Sequence, residues 1–164
     1  MKTCLALVLP LILVSGQAQA LKCLEPDPLV SFRTAMASPD IYVILRGAFT
    51  FGDGLLPGDV TTRGNPNLPQ PAPFAADFAG QSLVADGFTQ AAAMPVSIQS
   101  VCFGPWCGQI ASGQDVMAFA RTDDQGRLVV DVDPCGTWVF PDPTDTVLEQ
   151  MRGCTADPAS CATP

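Results

Sequence analysis

The chain has 164 residues, with eight basic side chains against sixteen acidic ones, seven cysteines and no histidine, for a formal net charge of −8. That balance argues against phosphate backbones and anionic membranes as partners, because grip on either rests on clustered Lys and Arg. The missing histidine removes the commonest general base and the usual zinc ligand together.

Residues 1–20 combine a basic start at Lys2, an apolar run over 4–14 and small residues at Ala18 and Ala20, the layout of a cleavable secretory signal. The apolar run is shorter than the ~20 residues a membrane-crossing helix needs. Lys22 precedes Cys23, where a lipoprotein would carry a small residue. The expectation is an extracytoplasmic protein, periplasmic or secreted, starting at Leu21 and free of the membrane after cleavage. Residues 21–164 then form a single domain that buries roughly two-thirds of its unfolded surface.

Residues 27–39 predict a short helix. Asp27 caps it, Pro28 suits its first turn, Leu29, Phe32 and Met36 recur near helical spacing, and Ser38 with Pro39 ends it. Residues 41–51, IYVILRGAFTF, predict a central strand, with Gly47 marking a bend or bulge. Residues 52–73 are rich in proline and glycine without a period, which predicts an insertion with low order over 63–73.

Strand character is weak over 74–88 and clear over 95–103, PVSIQSVCF. Residues 115–133 predict a hairpin of two alternating strands, with Gly126 supplying the positive φ of the turn. The acidic turn lacks the alternating ligands of a calcium loop. Residues 142–153 predict a helix capped by Asp142, with Pro143 at its first position, Val147, Leu148 and Met151 on one face and Gly153 as terminator.

Signal removal takes Cys4 away and leaves Cys23, Cys102, Cys107, Cys135, Cys154 and Cys161. An even set in an oxidising compartment reads as three disulfides, with fifteen pairings open. A thiol-disulfide redox centre at Cys102 and Cys107 would need Cys-x-x-Cys at a helix start, whereas four residues intervene here in a loop-like stretch. A zinc site from Cys102, Cys107, Cys154 and Cys161 would have wider gaps than zinc motifs use.

A serine nucleophile has no base, since Lys22 is the only lysine after residue 20. Asp131 and Asp133 share one face of a strand and read as solvent-facing alternation against Val130 and Val132. Trp138 and Phe140 read as core. Trp106 reads as core beside its cysteines or, with Leu21 and Lys22, as a contact with a partner. No catalytic residue, metal ligand or cofactor is expected.

The stretches LKCLEPDPLVSFR leading into DIYVILRGAF, then SVCFG, then GRLVVDVDPCGTW, then the helix ending in RGC, resemble in order and spacing the netrin-like (NTR) domain. Its members include the amino-terminal domains of the tissue inhibitors of metalloproteinases. The resemblance covers 21–154 and implies a mainly β, small five-stranded OB-like (NTR-like) barrel with flanking short helices, stabilised by disulfides. Inhibitor-type members open with Cys-x-Cys and carry a third cysteine ten residues later. Here Leu21 stands at the first position, Cys23 at the second and Arg33 at the third.

Cys102, Cys135 and Cys154 match the family's partners of those three, and Cys107 and Cys161 are extra. The resemblance thus selects Cys23 with Cys135, Cys102 with Cys107, and Cys154 with Cys161. It implies a non-catalytic binding module for a protein partner. Nucleic acid is not expected, since six scattered arginines do not make the basic, aromatic-lined groove that single strands require. The alternatives are inhibition of a secreted zinc protease through the amino group of Leu21, and thiol-disulfide redox chemistry.

Overall fold

A computed structural model of the chain describes residues 21–53 and 70–161. The expected signal over 1–20, residues 54–69 of the insertion and the last three of the tail lie outside the described residues. The first element is α1 (Pro28–Ala37), and its Asp27 cap accepts the Leu29 N–H at 2.8 Å. Its helical geometry ends at Ser38, whose extended backbone sets up Pro39.

The strands are β1 (Tyr42–Thr50), β2 (Phe74–Val84), β3 (Gly87–Ser100), a short ribbon of β4 (Cys102–Phe103) and β5 (Trp106–Cys107), β6 (Asp115–Thr122), β7 (Leu128–Val132) and β8 (Val139–Pro141). The helix α2 (Asp145–Ala156) and a 3-10 turn, Pro158–Cys161, complete the chain. Five strands run in the order β1-β2-β3-β7-β6, and β6 pairs back onto β1, so the sheet is ring-like. All its pairings are antiparallel except β3 with β7, which run parallel over only four residue pairs. The fold is therefore mainly β, with two short helices and three disulfides.

β1 is central as its apolar run predicts, but Gly47 makes no bulge, since the register runs unbroken past it on both edges. Gly47 faces Gly80 across the ladder, and a Cβ on Gly47 would stand 2.3 Å from the Ala79 carbonyl oxygen. Glycine here lets two backbones approach. The bulge lies elsewhere, at Thr89, where Ser82 pairs with Gln90 and Leu83 with Phe88.

The strand expected over 95–103 is longer and ends earlier. β3 begins at Gly87 and stops at Ser100, and Cys102 and Phe103 belong to the separate ribbon. Its partner β2 grows from the weak stretch over 74–88. Alanine and glycine hide both strands from propensity, and burial of Ala76, Phe78, Ala92, Val96 and Ile98 inside the ring makes them.

The ring encloses one core, built around Leu45, Phe49, Phe78, Ile98, Val116 and Val130. A second core covers the outer side of β6, where Met117 and Phe119 meet Phe32, Phe140, Leu148 and Met151. β6 is consequently buried on both faces over Val116–Ala120, a correction to the half-exposed alternation expected for it. Its turn to β7 is as expected: Gly126 has φ +76, and Asp123 accepts the backbone N–H groups of Arg127 and Gln125. Those bonds, the Arg127 amide first, hold the Asp123 carboxyl below its ordinary value of 3.8.

α2 starts later and ends later than its sequence suggests. Thr144, not Asp142, caps it by accepting the Val147 N–H. Asp142 has φ +46 and accepts a bond from the Gln114 side chain instead. Gly153 lies inside the helix, because Leu148, Met151 and Cys154 bury one face through that turn.

Candidate functional site

Two of the three bridges meet at the end of β7. Beyond Val132 the chain turns on Asp133, which is only 9 % exposed, a correction to its expected solvent-facing place. One of its oxygens accepts the Cys135 N–H at 2.8 Å and the other the Thr137 N–H at 2.9 Å, and the Thr137 hydroxyl donates to the first. The turn presents Cys135 to Cys23, and the two form a disulfide. Pro26 lies against Gly136, where a Cβ would stand 3.2 Å from its ring, and the Ser31 hydroxyl donates to the Thr137 carbonyl. The segment before α1 is thereby clamped, with Leu21 half-buried and Lys22 exposed just outside the bridge.

The ribbon of β4 and β5 grows from the same strand end. Val101 N–H donates to the Val132 carbonyl at 2.8 Å, and Gly108 is so close that a Cβ on it would stand 1.9 Å from that oxygen. The buried Ser100 hydroxyl donates to the Gly108 carbonyl at 2.9 Å. Outward from this base Cys102 pairs directly with Cys107, joined by a disulfide, and Phe103 pairs with Trp106. Gly104 and Pro105 make the two-residue loop, with Gly104 at φ +61, the first-position glycine that a primed hairpin turn takes.

Strand alternation puts the disulfide on one face of the ribbon and both aromatic side chains on the other. Phe103 is 44 % and Trp106 38 % exposed. Trp106 is thus no core residue, whereas Trp138, stacked on Tyr42 at 5.0 Å, and Phe140 are packed in the second core. Gln70 fixes the outer edge of the ribbon, taking the Cys102 N–H at 2.7 Å and returning a bond to the Cys102 carbonyl at 3.1 Å. Pro71 accepts from Gln99 at 2.8 Å. Residues 70 and 71 are therefore held, which corrects the low order expected for that end of the insertion.

The third bridge, Cys154 to Cys161, folds the 3-10 turn back onto α2. Arg33 donates to the Cys161 carbonyl at 3.4 Å, so α1 touches the ring that this bridge closes. An open apolar groove of about 520 Å³ runs between α1 and this turn, lined by Phe32, Met36, Pro158 and Ala159 among others.

All six described cysteines are in disulfides. Asp131 is paired with Arg121 at 2.7 Å, a bond that raises the Arg121 pKa, and Asp133 is occupied by its own turn. Among the described residues no group of three or more His, Cys, Asp or Glu side chains could hold a metal ion. No described helix is long and apolar enough to cross a membrane. Chemically the arrangement offers a rigid aromatic tip and a tethered N-terminal segment, both anchored on Val132–Cys135.

Phe103 and Gln70 are the parts of this site that sequence reading passes over. The signal for Phe103 is present, since Cys-Phe-Gly-Pro-Trp-Cys has the register of a two-residue hairpin with aromatics as a facing pair. Gln70 sits in an aperiodic stretch and gives none. No protein-family model, curated protein or solved structure matches the chain.

Proposed function

We propose that this protein is a non-catalytic binding module acting outside the cytoplasm, an NTR-like domain on an OB-like barrel, which takes a protein partner on the ribbon tip and the adjoining N-terminal segment. The observation that carries the reading is the exposed pair Phe103 and Trp106 on a disulfide-closed hairpin. Tryptophan is the side chain most enriched among residues that dominate binding energy. A ribbon closed by a bridge has little conformational freedom left to lose when a partner docks. A stable interface needs about 800 Å² from each partner, and the segment around Leu21 and Lys22, bridged through Cys23 and Cys135 to the turn after β7, extends the surface.

The barrel reading is supported by the closed order of five strands and its single parallel pair, as a five-stranded Greek-key closure demands. Three disulfides support an oxidising compartment. The redox alternative gains nothing from the geometry, because the Cys102–Cys107 bridge lies across a hairpin without the helix start that activates a thiolate.

The test is photo-crosslinking in the producing cells, with a photoreactive residue at Phe103, Trp106 or, as control, Gln125 in the exposed turn after β6. A discrete protein adduct from both ribbon positions and none from residue 125 is expected. Adducts of equal yield from all three would overturn the proposal.

A second reading has one observation behind it, the clamping of Cys23 so close to Leu21. Titration of the protein starting at Leu21 against secreted zinc proteases checks it. Inhibition that disappears on acetylating the Leu21 amine would establish it, and none across the panel would remove it.

A further inference from the structure

The ring of strands is not sealed along its whole length. β3 pairs with β7 only from Ser97 to Ser100, while β2 accompanies it from Gly87 to Ile98. Among the described residues, 90–96 therefore have a strand on one side only. At about 3.3 Å per residue this leaves roughly 20 Å of edge. α2 packs against the start of β3, with the Arg152 stem beside Gly87, so the open part lies beyond the Thr89 bulge.

The direction of the backbone groups along this edge follows from its neighbour. Val101 N–H points to Val132 on β7, so alternation turns the odd-numbered residues of β3 toward the β7 side. Pro95 has that parity, and a proline in a strand puts its missing N–H on the free side. Ala91 and Ala93, both exposed, then present an N–H and a C=O each to the open edge, and Pro95 a C=O.

Natural sheets guard such edges with charge, usually lysine, or with proline and bulges, and here Pro95 and the Thr89 bulge stand toward the two ends of the open stretch. β3 has no charged residue anywhere between Gly87 and Ser100. Arg152, whose stem lies beside Gly87, is ion-paired with Glu149, and the other charges next to this edge are acidic: Asp86 precedes Gly87, and Asp77 on β2 is paired with Pro95. Both are exposed, and neither is in an ion pair among the described residues.

We infer that the open edge of β3 is a strand-addition site for an extended peptide segment of another protein, uncharged over its centre and carrying Lys or Arg at its ends. Main-chain bonds to Ala91 and Ala93 supply the affinity, and Asp77 and Asp86 select the basic ends. A second copy of the chain fits poorly, since pairing two such edges would bring together Asp77 and Asp86 of both molecules, each with a net charge of −8. This surface does not depend on the ribbon, and loss of Trp106 leaves it intact.

The probe is a labelled peptide of alternating threonine and valine with lysine at each end, added to the full oxidised chain and read by anisotropy and by amide hydrogen exchange. The Ala91 and Ala93 amides should exchange freely in the protein alone and slow at least about tenfold with peptide. A93P removes one outward N–H and should weaken binding about tenfold or more. A79Q enlarges the side chain paired with Ala93 on β2, on the side of β3 away from the open edge, and should leave binding unchanged.

The proposal is overturned if those two amides are already slow in the protein alone, or if A93P binds as well as the parent. Equal binding of a glutamate-ended peptide would overturn the charge selection. Protection that rises with protein concentration without peptide would assign the edge to a second copy.

Discussion

Tyr42 is the only tyrosine of the chain, and its place between the second core and an acidic rim gives it a clean signature. Its ring stacks on Trp138. Burial, followed by the nearby charges of Asp40 and Asp131, raises its pKa above the ordinary 10.0. A raised acid is favoured in its neutral form when folded, so the unfolded chain ionises first as pH rises. The contribution is complete below pH 10.0 and is lost as pH climbs through the folded value. Ultraviolet titration of the native protein should place tyrosinate formation above that of the urea-unfolded chain. Tyr42→Phe should abolish this part of the alkaline fall in stability. A native midpoint at or below the unfolded one would contradict the burial described for this ring.

At the level of elements, the two helices show what a sequence discloses and what it withholds. α1 was legible because its start, Asp27 then Pro28, and its stop, Ser38 then Pro39, are local signals that no tertiary contact overrides. α2 offered two acceptable caps two residues apart, Asp142 and Thr144, and the Gln114 side chain decides between them by bonding Asp142. Thr144→Ala should therefore cost about 1 kcal/mol of stability in a urea titration. Asp142→Gly should cost less, because glycine relieves the positive φ that the aspartate adopts. The reverse ranking would return the cap to Asp142.

The same distinction runs through the strands. β1, rich in Ile, Val and aromatics, could be read directly, whereas β2 and β3 are alanine-rich and exist because the ring needs their buried side chains. Long-range demands of this kind leave no local trace. In the site, the cysteine ladder and Trp106 were visible in the sequence. The exposure of Phe103 and the burial of Asp133 follow from which strand end the ribbon and the turn share.

For the molecule as a whole, the three bridges differ in reach. Cys23 and Cys135 are 112 residues apart, against 5 and 7 for the others. In the chain-entropy model the long loop contributes about 5 kcal/mol and each short one about 2 to 2.5 kcal/mol. Replacing Cys23 and Cys135 together by serine should lower the urea midpoint at least twice as far as replacing Cys102 and Cys107. Equal losses would mean that the tether of the N-terminal segment constrains the unfolded chain little.

The spacing of the bridges also sets a timetable for oxidation. In a chain that reaches an oxidising compartment amino end first, Cys23 arrives long before Cys135, and two rival thiols, Cys102 and Cys107, follow in between. Because those two are neighbours across a tight turn, they meet each other far more often than either meets a site some eighty residues back, since closing a short loop costs less entropy than closing a long one. The ribbon therefore works as a temporary protecting group. It takes both competitors out of circulation, Cys23 alone is left waiting, and the first sulfur to arrive after that is its native partner.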